Sequence, residues 1–139
     1  MAEKFAHLEW TGEGLDLKVT APNGYSYNMT PPSGGPGVTP MEYLLSAAAG
    51  CTAMDVISIL QKKRQQISGM EFDIHGVQSE SMPHVYTSAT LVYVIKGKDV
   101  DPAAVERAIE LSQTKYCSAS IMLKQAGMEL KTEYRIEEE

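Results

Sequence analysis

Basic side chains are scarce in this sequence. Twelve Lys and Arg stand against eighteen Asp and Glu, a formal net charge of −6. The one basic run, Lys62-Lys63-Arg64, falls at the end of an expected helix, where cations offset exposed carbonyls. An acidic chain without a clustered basic patch is expected to bind neither nucleic acid nor an anionic membrane surface. The opening stretch MAEKFAHLEW has no uninterrupted apolar core of the kind a signal peptide carries. A membrane span needs roughly 18 charge-free apolar residues, and Glu42 and Asp55 bracket the longest apolar candidate. The expected location is therefore the cytoplasm.

Most catalytic signatures are missing as well. There is no phosphate-cradling glycine loop with a lysine, no helical HExxH and no nucleophile elbow. His7, His75 and His84 fall in separate strands or loops, and no CxxC occurs, so neither a metal nor a cofactor is expected. Cysteine is rare, with only Cys51 and Cys117. In a reducing compartment two cysteines are more often free or redox-active than a structural bridge.

What is present is enough for a core. The chain is 43% hydrophobic and 22% charged, which points to one ordered domain over residues 1–139. Two-residue alternation predicts strands over 4–11, 14–21 and 24–30, the first two joined as a hairpin through TGEG. The glycine- and proline-rich stretch 31–40 is a loop. Thr39, Pro40 and Glu42 form a capping-box start for an apolar helix over 40–65. That helix is apolar on more than one face, more than a short chain covers alone, and a dimer would cover it. Strands follow over 70–79 and 85–97, then an amphipathic helix over 101–115, opened by Asp101 and Pro102. Val105, Ala108, Ile109 and Ser112 share its stripe. A shorter helix over 116–127 ends at Gly127, and a strand over 128–137 closes the chain. This order, βββ-α-ββ-αα-β, defines an α+β fold with helices against antiparallel sheet.

The two cysteines have different settings. Cys51 follows Ala47-Ala48-Ala49-Gly50, small residues that admit a neighbouring backbone or leave a cleft beside the sulfur. It shares its helical face with Leu44, Ala47, Ala48, Met54 and Asp55, surroundings that disfavour charge on a thiol. Cys117 falls at or just before the start of the second short helix, where unpaired amides favour a thiolate. Taken by themselves, these residues leave both cysteines open to a core-filling or a reactive role.

Two stretches, GGPGVTPMEYLLSAAAGCTAMDVISILQKKRQ and AIELSQTKYCSASIML, resemble the OsmC/Ohr superfamily, especially its YhfA-like branch. The resemblance implies antiparallel sheets wrapped around two central helices in an intertwined homodimer. It also implies thiol-dependent reduction of organic hydroperoxides, with Cys51 as peroxidatic and Cys117 as resolving cysteine, reset by an external dithiol. The chain departs from the family pattern at the positions that support the thiolate. Met41 stands where the active branches carry a glutamate, with Glu42 one place later. Ile121 replaces an arginine, and no arginine precedes Arg64, leaving Lys18 as the N-terminal cation. These departures favour a second expectation, a non-catalytic homodimer that binds an apolar small molecule at the same interface.

Overall fold

The computed structural model describes residues 2–139. The chain divides into two compact units, Met1–Leu44 and Leu45–Glu139. In the first unit, β1 (His7–Trp10), β2 (Leu17–Thr20) and β3 (Ser26–Met29) form an antiparallel sheet in the order β1-β2-β3. The strands are shorter than their alternation predicts because turns claim their ends. Ala21 N–H bonds to the Tyr25 carbonyl and Gly24 N–H to that of Ala21, with Gly24 at φ 91°. Those bonds end the β2–β3 ladder at Thr20↔Ser26, and β1 has no partner beyond Thr20.

Helix α1 (Pro40–Lys62) starts as its sequence predicts. Thr39 N–H donates to Glu42 Oε1 at 3.1 Å, and Glu42 N–H donates to Thr39 Oγ1 at 3.2 Å, the reciprocal capping box. The helix ends at Lys62, earlier than the expected residue 65, because Arg64 takes a left-handed backbone at φ 57°.

In the second unit, β4 (Gln66–Gln78) and β5 (Tyr86–Lys98) form a long antiparallel hairpin, and β4 begins four residues before the alternation signalled it. Helix α2 (Pro102–Leu111) is capped by Asp101, whose Oδ1 accepts from Ala103 N–H at 3.0 Å. The expected helix over 101–115 is interrupted. From Ser112 to Tyr116 the backbone widens into a π-turn, and α3 (Ser118–Gln125) follows. Gly127, at φ 112°, closes that segment as predicted.

Strand β6 (Glu129–Glu138) then pairs with β5, and here the antiparallel expectation is corrected, since the pair is parallel. The crossover through α2 and α3 carries the chain back to the end where β5 began, so β6 must run in the same direction. The order β4-β5-β6 places β5 in the middle. Its Leu91, Tyr93 and Ile95 are fully buried against Val56 and Leu60 of α1 and Val105 and Ala108 of α2. By length and composition α1 could pass for a membrane span. Within this unit its Ala48, Thr52, Val56 and Leu60 form a buried stripe instead.

Candidate active site around Cys51 and Cys117

Cys51 lies midway along α1 on the flank of that buried stripe, and its side chain is half-buried. The face above it is open. A side chain placed at Gly50 would meet nothing within 4 Å, Ala47 is exposed, and Met54, one turn on, is 73% exposed. The small residues before Cys51 therefore do two jobs. Ala48 and Ala49 pack inward, while Ala47 and Gly50 leave space beside the sulfur.

Cys117 is the N-cap of α3 and is fully buried. Its Sγ accepts from the Ser120 N–H at 3.4 Å and lies 2.9 Å from Ser120 Oγ and 3.9 Å from the Ala48 carbonyl oxygen of α1. The Ala48 carbonyl belongs to the turn of α1 just before Cys51, and Cys51 is among the groups that act on the Cys117 thiol. Cys117 thus packs against the helix that carries Cys51.

The helix-start setting of Cys117 holds, but it does not prevail. Burial pushes its thiol above the usual range, the Ser120 hydroxyl and N–H pull it partly back, and the hydrogen bond and charge of Cys51 raise it further. A stability consequence follows. Below the ordinary thiol value of about 8.5 both folded and unfolded chains hold this proton. Above it the unfolded chain releases a proton that the folded chain keeps, so stability falls as pH rises. Urea midpoints of wild type and Cys117→Ser between pH 7 and 10 should diverge on the alkaline side, with wild type losing more. Parallel curves would contradict the raised thiol.

Beneath the sulfurs lies a polar network that motif reading missed. Thr52 Oγ1 is 2.8 Å from both Tyr93 Oη and Ser112 Oγ, and Ser112 Oγ donates to Asp55 Oδ2 at 2.9 Å. Gln113 Nε2 donates to Thr52 Oγ1 at 3.1 Å and to Tyr93 Oη at 3.4 Å. Lys124 Nζ donates to the Gln113 backbone oxygen at 2.7 Å and to its Oε1 at 3.4 Å. Burial raises the Tyr93 phenol, hydrogen bonds from Thr52 and Gln113 oppose this, and the charges of Cys117 and Asp55 add to the rise. Asp55 also borders a cleft of about 350 Å³ together with Ser58, Lys62 and Tyr116. The signal for this network was a hydroxyl on each apolar stripe, Thr52 on α1 and Ser112 on α2.

The other sequence candidates sit in the first unit. The Glu42 carboxylate serves the capping box, which lowers its pKa through the hydroxyl and N–H of Thr39. Lys18 is exposed on β2, opposite Glu9 and Asn28.

An α+β chain with a half-buried and a buried thiol is the class that fold and site define, and the chain belongs to the OsmC-like protein family, whose model matches residues 33–133. It falls in the YhfA-like branch. It is 40% identical to protein YhfA of Escherichia coli K12 over 121 residues, 87% of this chain and 90% of that one. A hypothetical protein from Aquifex aeolicus superposes with a TM-score of 0.89 at 31% identity, covering 100% of this chain and 99% of that one. The organic hydroperoxide resistance protein OhrB of Bacillus subtilis shares the fold at a TM-score of 0.64 and 15% identity, covering 96% of this chain and 98% of that one.

Proposed function

We propose that the protein reduces organic hydroperoxides through Cys51 and Cys117. The observation that carries this reading is the placing of the two thiols, one half-buried on an open face of α1 and the other buried with its Sγ 3.9 Å from the Ala48 carbonyl of that same helix. The name of the OhrB fold relative points the same way. The Cys51 thiolate attacks the distal peroxide oxygen, the O–O bond breaks, and the alkoxide leaves to take a proton as the alcohol. Cys51 is then a sulfenic acid. The Cys117 sulfur displaces its hydroxyl, forming the disulfide, and the thiol proton leaves with it as water. An external dithiol restores both thiols by exchange and becomes a disulfide itself. The reducing cytoplasm would supply such a dithiol.

The apolar surroundings of Cys51 favour an alkyl hydroperoxide. Met54, three residues on from Cys51 along α1, is an apolar side chain 73% exposed. We further propose that a second copy of this chain covers the open face of α1, making one OsmC-like domain per subunit of a homodimer. Sedimentation at twice the 15.2 kDa chain mass is the expected result, and a monomer at micromolar concentration contradicts it.

Turnover of an alkyl hydroperoxide in the presence of dithiothreitol tests the reaction. Loss of peroxide above the buffer rate supports it, and no such loss overturns it. A second reading, binding of an apolar molecule without chemistry, is favoured by Met41 and Ile121 standing where the family carries charged residues. It requires thermal stabilisation by fatty-acid or alkyl ligands, and failure of all of them to raise Tm removes it.

A further inference from the structure

The buried polar network has a direction, which follows from counting hydrogens. Ser112 has one hydroxyl hydrogen, and Asp55 takes it. The 2.8 Å contact between Thr52 and Ser112 therefore requires Thr52 to donate. With its own hydrogen used, Thr52 accepts from Tyr93 and from Gln113 Nε2. Gln113 is oriented by the Lys124 ammonium, which donates to its Oε1. Every donor in the run Lys124–Gln113–Thr52–Ser112–Asp55 points the same way, from a cation to a carboxylate. Such chains polarise and strengthen one another, and charged ends make the terminal bonds the strong ones.

The same residues hold the backbone that carries Cys117. Ser112 opens the π-turn, and its carbonyl accepts the Cys117 N–H at 2.7 Å. Its hydroxyl is fixed to Asp55 and Thr52, the latter the neighbour of Cys51 on α1. The Gln113 carbonyl is fixed to Lys124 of α3, the helix that Cys117 caps. Single π-turns are frequently found at functional sites. This one is tied to the two helices on which the sulfurs sit.

We propose that this run is a clamp that sets Cys117 in bonding register with Cys51, making Thr52, Ser112 and Asp55 positioning residues for disulfide formation. The inference builds on the thiol-pair reading above, but its test needs no peroxide. Protein dithiol exchanges with oxidised glutathione, so that the protein gains the disulfide, loses two thiol hydrogens and releases two reduced glutathiones. The equilibrium, read by intact mass in glutathione redox buffers, gives the effective concentration of one thiol at the other.

Thr52→Val keeps the shape and removes the central hydroxyl. Its effective concentration should fall about tenfold, the size expected for one lost buried hydrogen bond, and Thr52→Ser should restore it. Asp55→Asn and Ser112→Ala carry the same measurement if Thr52→Val does not fold. Urea midpoints run in parallel, because a purely structural role would lower stability without moving the thiol equilibrium among folded molecules. Unchanged effective concentration in all folded variants overturns the clamp, as does a wild type that forms no Cys51–Cys117 disulfide in any buffer. A wild type that forms it readily but consumes no peroxide leaves the clamp standing and removes the peroxidase reading.

Discussion

Cys51→Ser should abolish peroxide turnover, while Cys117→Ser, without added dithiol, should consume one equivalent and stop with Cys51 as a sulfenic acid rather than a disulfide. The two variants separate because the sulfurs occupy different places. Cys51 is half-buried beneath open space, where an oxidant can reach it, and Cys117 is sealed under α1. A serine hydroxyl is far too weakly acidic to attack the O–O bond, so the first variant keeps no route to a sulfenic acid. In the second, the sulfenic acid forms and persists until an external thiol displaces its hydroxyl, since no partner thiol in the chain does so. Peroxide loss with dithiothreitol present and absent, followed by sulfenate trapping, distinguishes the three proteins. Equal slow consumption by wild type and Cys51→Ser would end the peroxidase account.

The second large effect is on stability. Tyr93→Ala should cost about 3–5 kcal/mol, the range for removing a fully buried aromatic ring. This is a large share of a typical domain stability of about 5–15 kcal/mol. The ring is completely enclosed, packs edge-on against Phe72 with centroids 5.8 Å apart, and donates its hydroxyl hydrogen to Thr52. Tyr93→Phe keeps the ring contact and loses only the hydroxyl, leaving Gln113 without one of its acceptors. It should cost about 1–3 kcal/mol. Urea denaturation of both variants checks the order, and a Phe variant as unstable as the Ala variant would contradict the division between ring and hydroxyl.

Much of the architecture was legible because local chemistry and long-range packing agree. The Thr39/Glu42 capping box, the Asp101 cap and the Gly127 stop each act over a few residues, and each appears where the sequence places it. Two features were hidden for physical reasons. The direction of β6 depends on how α2 and α3 return the chain, which no alternation pattern encodes. The π-turn at Ser112 to Tyr116 depends on tertiary hydrogen bonds to Asp55, Thr52 and Lys124, so Ser112 looks from the sequence like one more position on a helical stripe.

The site was half legible. Cys51 and Cys117 could be singled out by rarity and by the family pattern, and the structure packs Cys117 against the Ala48 carbonyl of the helix that carries Cys51. The electrostatics could not be inferred from helix position alone. The start of α3 does aim an N–H at Cys117, yet complete burial outweighs it, and only the three-dimensional packing decides that contest. Ser120 and the clamp residues carry no motif, since serine and threonine hydroxyls within apolar stripes are common in helices that do nothing.

Intact mass of the wild-type protein after one equivalent of an alkyl hydroperoxide, without added reductant, is the most direct test. The account predicts a monomer chain lighter by two hydrogens, with peptide mapping placing the bond between Cys51 and Cys117. A chain of unchanged mass, or one carrying added oxygen on Cys51 with Cys117 still free, would contradict it.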